Sequence, residues 1–268
     1  MKTCIREDES GVSEAIGFIL IFTIVILGIS IVTLYGYPVL ADARISSDEK
    51  IMEQNMIVLQ NDIKILTRSN VPYRDTTIGV SGGSIFVTNS TEAKVGGGEH
   101  FTVNYSVSNT TVFSTTYYPG SLEFVSDEGT AVVSVSNGAV VKRQQDLDGS
   151  SMVSNPRWFY DDTEGALVIF MTNLTSPQPM TLGGIGTIQM AMLKPPVVPP
   201  FPNLGGTVKI EYYHDLTDDY SRAWENYLTG PYIGQSVFSK VASGNPDIYQ
   251  MDVDRLVIKE YTVEILGI

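Results

Sequence analysis

The hydrophobic pattern changes twice along the chain and divides it into three stretches. From Ala15 to Leu40 the residues are apolar, small or uncharged, and after Glu14 no charge appears until Asp42. At about 1.5 Å per residue, that block reaches roughly 39 Å as a helix, beyond the roughly 30 Å hydrocarbon core of a bilayer. β-branched residues are dense in it. In lipid, however, the backbone must satisfy its own hydrogen bonds, so a helix is expected. Gly17, Gly28 and Gly36 leave notches for a close helix neighbour. Tyr35 and Tyr37 suit a membrane interface, and Pro38 is expected to kink or end the lipid-embedded part.

In the second stretch, Met52, Met56, Leu59, Ile63 and Leu66 recur at alternating spacings of four and three. That is a heptad seam on a helix ending near Asn70 and Pro72. Ser46, Ser47 and Asp48 offer a cap if the helix restarts there. The stripe either packs on the chain's own β domain or forms a subunit-packing surface, and the spacing fits both.

From about Thr76 the period becomes two. "TIGVSGGSIFVTN" reads as strand, Gly-Gly turn, strand. "HFTVNYSVSNTTVFSTTYY", "TAVVSVSNGAVVKRQ", "GALVIFMTNL", "GTIQMAML", "GTVKIEYYH" and "DRLVIKEYTVEIL" continue the pattern. Asn137-Gly138 is a type I′ hairpin signal. Two segments interrupt the strands. "KPPVVPPFPN" (Lys194–Asn203) lacks the donors a central strand needs and reads as an extended connector. "TDDYSRAWENYLTGP" reads as one short helix, with Tyr220, Trp224, Tyr227 and Leu228 on its apolar face. The expected fold class is α+β: a long N-terminal hydrophobic helix continuing as an amphipathic helix, then an antiparallel β-sandwich with one short helix. The expected segments are a leader (1–11), a transmembrane helix (12–40), an amphipathic stalk helix (41–70) and a sandwich domain (71–268).

Charge narrows the partners. The chain of 268 residues carries a net charge of −13, which repels phosphates and argues against nucleic-acid binding. Cys4 is its one cysteine and lies before the apolar block, so no intrachain disulfide or Cys-rich zinc site can form. Lys2 and Arg6 precede the block, but Arg44 and Lys50 follow it closely, so charge orients the helix only weakly; an inside N-terminus is expected mainly because the long polar body then lies outside.

Candidate chemistry is sparse. "GVSGG" (Gly79–Gly83) matches G-x-S-x-G, but a nucleophile elbow needs a following helix and a strand-like run follows instead. Ser81 is therefore read as part of a turn. His100 and His214 read as structural or solvated. "DLDG" (Asp146–Gly149) and the group Asp215, Asp218, Asp219 are weak calcium patterns without the full ligand spacing. No catalytic residue, metal site or cofactor is assigned. Asn89, Asn104, Asn109 and Asn173 are N-x-[ST] sequons, open to glycosylation on an exported domain. "RWFYDD" reads either as core plus turn or, if Trp158, Phe159 and Tyr160 are exposed, as a stacking platform, which gives the alternative of an anchored carbohydrate- or calcium-dependent binding module.

The residues "GVSEAIGFILIFTIVILGISIV", behind a short charged leader, resemble the N-terminus of archaeal type IV pilin-like proteins. The match lies in Val12, Ser13, Ile16 and Gly17. The resemblance implies cleavage by a prepilin peptidase between Gly11 and Val12, followed by membrane anchoring or packing with other pilin-like subunits. More broadly, the layout is similar to archaeal N-terminally anchored surface proteins with a β-rich body. The expected function is an exported, membrane-anchored surface protein with a non-catalytic structural, adhesive or pilus-assembly role. Its partners would be the membrane, other pilin-like subunits or envelope proteins.

Overall fold

A computed structural model of the chain describes residues 8–69, 71–145, 149–199, 205–215, 219–234 and 237–268. The chain forms two compact units, residues 1–47 and 48–268.

The first unit is helical. Helix α1 (Asp8–Ile31) runs into a π turn (Val32–Gly36), followed by helix α2 (Tyr37–Ser69). Pro38 neither ends nor breaks the helix. Proline has no N–H and crowds the carbonyl four residues back. The π turn before it shifts the pairing, so that Tyr37 N–H donates to Val32 O and the chain resumes an α path. Thr23 and Thr33 donate their hydroxyls back to the carbonyls of Ile19 (2.7 Å) and Ile29 (2.9 Å). Both polar groups are thereby satisfied within the apolar surface. Ser46, Ser47 and Asp48 lie inside α2 and cap nothing, because the helix has no restart there.

The second unit is built on two sheets. The larger has nine strands in the order β7-β6-β5-β4-β1-β10-β14-β9-β8. Its members are β1 (Tyr73–Thr88), β4 (Ser121–Ser126), β5 (Ala131–Ser136), β6 (Ala139–Gln144), β7 (Ser150–Ser154), β8 (Phe159–Asp161), β9 (Ala166–Thr175), β10 (Thr181–Val197) and β14 (Arg255–Gly267). The smaller sheet has the order β12-β13-β11-β2-β3. It contains β2 (His100–Val107), β3 (Thr110–Tyr117), β11 (Gly206–Tyr213), β12 (Ser239–Ala242) and β13 (Asp247–Val253). Two short helices, α3 (Ser90–Gly96) and α4 (Ser221–Thr229), complete the unit. The α+β class and the β-rich body agree with the pattern in the sequence. Pairing is antiparallel except between β9 and β14, which run parallel from Ala166↔Arg255 to Thr175↔Glu264.

Strand alternation shows how the layers stack. In β6, Ala139 and Val141 join a core with the smaller sheet and α4. Val140, between them, joins a separate core with α2. Successive side chains point to opposite faces of a sheet. The larger sheet is therefore covered by the smaller sheet on one face and by α2 on the other, so the body has three layers.

The heptad stripe makes the second core. Met52, Met56, Leu59, Ile63 and Leu66 are each at most 2% exposed. They pack with Ile78, Val80 and Ile85 of β1, Phe124 of β4 and Val133 of β5. This corrects the subunit-packing assignment of the stripe: its surface is already buried on the chain's own sheet. Polar contacts fix the register. Asp62 accepts from Arg74 and from the Thr76 hydroxyl. Lys142 reaches Glu53 at 2.7 Å and Glu49 at 3.2 Å. The fully buried Gln60 donates to Gly138 O (2.6 Å) and accepts from Ser154 Oγ (2.6 Å).

Three local readings are corrected. Gly82-Gly83 is no hairpin turn but a bulge within the continuous strand β1, where the register shifts between Val80 and Ile85. There β1 gains β4 as a second neighbour, from Gly83↔Ser126 onward. Gly82 has φ +68°, and a side chain on Gly83 would collide with Val125 O and the Phe124 ring. Second, Lys194–Val197 extends β10 instead of opening a loop. By then β1 has ended, opposite Ala191, so Pro195 and Pro196 sit where only β14 pairs and no second row of donors is needed. Residues 200–203 of that proline segment lie outside the described residues. Third, the part of the expected 41–70 stalk from Asp48 onward belongs to the β body. The hairpin at Asn137-Gly138 does form, with φ +48° and +71°.

Truncating the stripe should destabilise the body without changing its association. Leu59→Ala is expected to cost about 2–5 kcal/mol, read by denaturant unfolding, with an unchanged sedimentation coefficient. A change in oligomeric state with full stability would return the stripe to a subunit interface.

Candidate functional site

The largest unsatisfied feature is the apolar surface of α1 and the turns after it. Phe18, Leu34, Tyr35 and Leu40 are each about 70% exposed. The most apolar window of this helix has a mean hydropathy of 2.9, and none of it is buried. Burying a side chain of this kind is worth about 1.5–3 kcal/mol, so leaving so many in water is strongly unfavourable. Contiguous exposed apolar surface on this scale marks a membrane or association site. Gly11 and Val12 lie within the backbone of α1; their side chains are outside the described residues.

The sequons differ in availability. Asn89 caps α3, accepting from Thr91 N, and its amide donates to Ser176 O at 2.7 Å. Asn104 and Asn173 donate to Glu211 (3.2 Å) and Glu260 (2.6 Å). Asn109 is exposed at the tip of the β2–β3 turn with φ +63°. It is the sequon among the four whose side chain stands clear of the fold.

The binding-module platform does not form. Trp158 is 3% exposed and donates its indole N–H to Phe170 O at 3.0 Å. It packs edge-on with Phe101 and Tyr227 in the core. Phe159 and Tyr160 flank it as the start of the edge strand β8. An indole N–H needs a buried acceptor and a large apolar ring needs a core, and this position supplies both.

Among the described residues, Ser81, His100 and His214 make no hydrogen bond to one another. Ser81 lies in the β1 bulge. His100 stacks between Tyr213 (4.3 Å) and Tyr118 (5.0 Å), with Nδ1 2.8 Å from Gly98 O. His214 sits 3.1 Å from Asp215 O. Among the described residues, no three of His, Cys, Asp and Glu come together in a way that would hold a metal ion. Asp146, Asp148 and Asp218 lie outside the described residues, as does Thr217.

A pocket of about 230 Å³ was not foreseen from the sequence. It is lined by Glu92, Glu99, Glu123, Asp215 and Tyr220, among others. One of its lining residues is the half-buried Glu99, whose carboxylate is enclosed by three donors. Oε1 accepts from Tyr212 OH (3.0 Å) and Trp224 Nε1 (2.9 Å), and Oε2 accepts from Ser136 Oγ (2.6 Å). Burial raises the Glu99 pKa above its ordinary value and Asp215 adds to the rise, while the three donors oppose it. The donors come from β5, β11 and α4, far apart in the chain. No local spacing could have announced them, and "GGGEH" alone reads as a loop. Functionally the arrangement joins α4 to both sheets.

These features define a three-layer β-rich domain whose chain carries one N-terminal helix long and apolar enough to cross a membrane, which fits a single-pass membrane protein. The chain belongs to a family of unknown function (DUF7289), whose model matches residues 11–265. No curated protein and no solved structure matches it.

Because the folded pKa of Glu99 is raised, the native state holds its proton more tightly than the unfolded chain. Stability is then greatest below the unfolded carboxyl pKa and falls as pH rises through the folded value. Glu99→Gln keeps an oxygen for Tyr212 and Trp224 and can donate to Ser136. The variant should lose less thermal stability than the parent as pH rises from acid to neutral. An identical pH slope in parent and variant would contradict this account of Glu99.

Proposed function

We propose that this chain is an exported, membrane-anchored, pilin-like surface protein. Its N-terminal apolar helix is the anchor, and its β body does non-catalytic structural, adhesive or pilus-assembly work outside the cell. The observation that carries this reading is the helix surface itself: long, uncharged from Ala15 to Leu40 and wholly uncovered. The "VSEAIG" opening supports processing between Gly11 and Val12. The family match begins at Gly11 and leaves residues 1–10 outside the matched region. In this reading the N-terminus is cytoplasmic and the long acidic body extracellular, an orientation that Lys2 and Arg6 support and that Arg44 and Lys50 oppose. With the amphipathic stripe of α2 buried on the chain's own sheet, the apolar block is the surface left uncovered, which supports a role for it in any lateral assembly.

The test is the intact mass and N-terminal sequence of native protein, taken from membranes and from sheared extracellular filaments. A mature chain starting at Val12 is expected in membranes, and its presence in filaments makes it a filament subunit. A chain starting at Met1 in membranes contradicts prepilin-type processing.

Glycosylation, as part of this reading, falls at Asn109, where the amide is free and exposed on a turn. Peptide mass spectrometry of native protein should find the glycan there, and Asn109→Gln should remove it. A glycan on Asn173 with Asn109 bare would contradict this assignment.

A further inference from the structure

The apolar block is longer than the layer it would cross. As a helix, Ala15 to Leu40 reaches roughly 39 Å, against roughly 30 Å of hydrocarbon. A helix with surplus length either tilts until all of it is immersed or lets one end emerge. Charge does not choose between the two, because the block holds none. The backbone does.

Two carbonyls near the C-terminal end of the block are short of their ladder donors. In an α ladder Thr33 O would take the N–H of Tyr37, but that N–H goes to Val32 O. In a π ladder it would take the N–H of residue 38, and Pro38 has none. Leu34 O loses its α partner for the same reason. The Thr33 hydroxyl is committed to Ile29 O at 2.9 Å. The π turn thus keeps the helix continuous and confines the shortfall to one place. A carbonyl short of a donor is strongly unfavourable in hydrocarbon and is satisfied where water or a headgroup reaches it. Aromatic rings mark the same level. Tyr35 and Tyr37 are 72% and 73% exposed, and tyrosine favours the headgroup layer.

We propose that the π turn (Val32–Gly36) is the part of the chain that docks at the interface of a phospholipid bilayer, and that it sets how deep the chain sits. The hydrocarbon-spanning segment is then Ala15 to Leu34, and the chain from Tyr35 to Leu40 emerges into the headgroup layer and beyond. This inference rests on the membrane-anchor reading and adds the depth to it. The lengths agree: the segment from Ala15 to Leu34 makes roughly 30 Å of helix, the thickness of the hydrocarbon. Glu14 closes its other end with a charge. Water and headgroup donors complete Thr33 O and Leu34 O. The spanning helix expected over 12–40 is thereby shortened at its C-terminal end.

The test uses the full chain carrying Cys4→Ser, reconstituted in vesicles of dioleoylphosphatidylcholine. Spin labels are placed singly through Leu20→Cys, Val25→Cys, Ile31→Cys, Leu34→Cys and Leu40→Cys, all at exposed positions of the helix. Relaxation by oxygen, which concentrates in hydrocarbon, and by a nickel chelate, which stays in water, reads the depth of each label. Depth should be greatest at Val25, fall to the headgroup level at Leu34, and give way to strong nickel relaxation at Leu40. A tilted helix immersed over its full length would put Leu34 several ångströms inside the hydrocarbon and Leu40 at the boundary. That result would overturn the proposal and leave the anchor standing. Strong nickel relaxation at every site would overturn the anchor itself, and the proposal with it. Pro38→Ala supplies the missing N–H and should let Leu34 sink, which lowers its nickel relaxation. A Leu34 depth unchanged by Pro38→Ala would mean that the carbonyls do not set the level, and would also overturn the proposal.

Discussion

An uncovered apolar helix is the constraint on which this molecule turns. Nothing in water stabilises the surface from Ala15 to Leu40, whose large side chains are mostly more than half exposed. Either lipid or other helices must cover it. The helix is adapted to that setting. Its threonines bond their own backbone, and Pro38 is absorbed by a π turn instead of breaking the ladder. Those adaptations matter most where water is absent and each backbone group must find its partner within the segment.

The body obeys the opposite logic. Its nine-stranded sheet is apolar on both faces and would be insoluble alone, so one face takes the smaller sheet and the other takes α2. The amphipathic part of α2 is thus the third layer of the domain and not a free arm. Asp62, Gln60 and the Lys142 pairs set its register. Glu99 performs a related task on the far face, where its carboxylate collects donors from both sheets and α4. The apolar helix is left as a large uncovered apolar surface, with Asn109 as an exposed tip on the body.

Features set by neighbouring residues could be read from the sequence, and features set by distant ones could not. The spanning helix follows from composition over one segment, and the Asn137-Gly138 hairpin from two residues with unusual backbone freedom. The heptad spacing identified which face of α2 is apolar, but no spacing states what covers that face. Gly82-Gly83 reads as a turn because a turn and a bulge ask for the same residues, and only the partner strands β4 and β10 distinguish them. Pro195 and Pro196 entered a strand because β1 stops short of them, a fact about another part of the chain. The sequence leaves Trp158 open between core and surface because its acceptor, Phe170 O, lies on β9, outside the local segment. Glu99 gave no signal because each of its donors comes from a different element.

The most direct test compares the full chain with residues 48–268 after incubation with lipid vesicles and an alkaline carbonate wash. If the apolar helix alone makes the chain a membrane protein, the full chain stays with the vesicles. The shorter chain stays in solution as a folded monomer. Release of the full chain by the wash, or retention of residues 48–268 on the vesicles, would contradict the account.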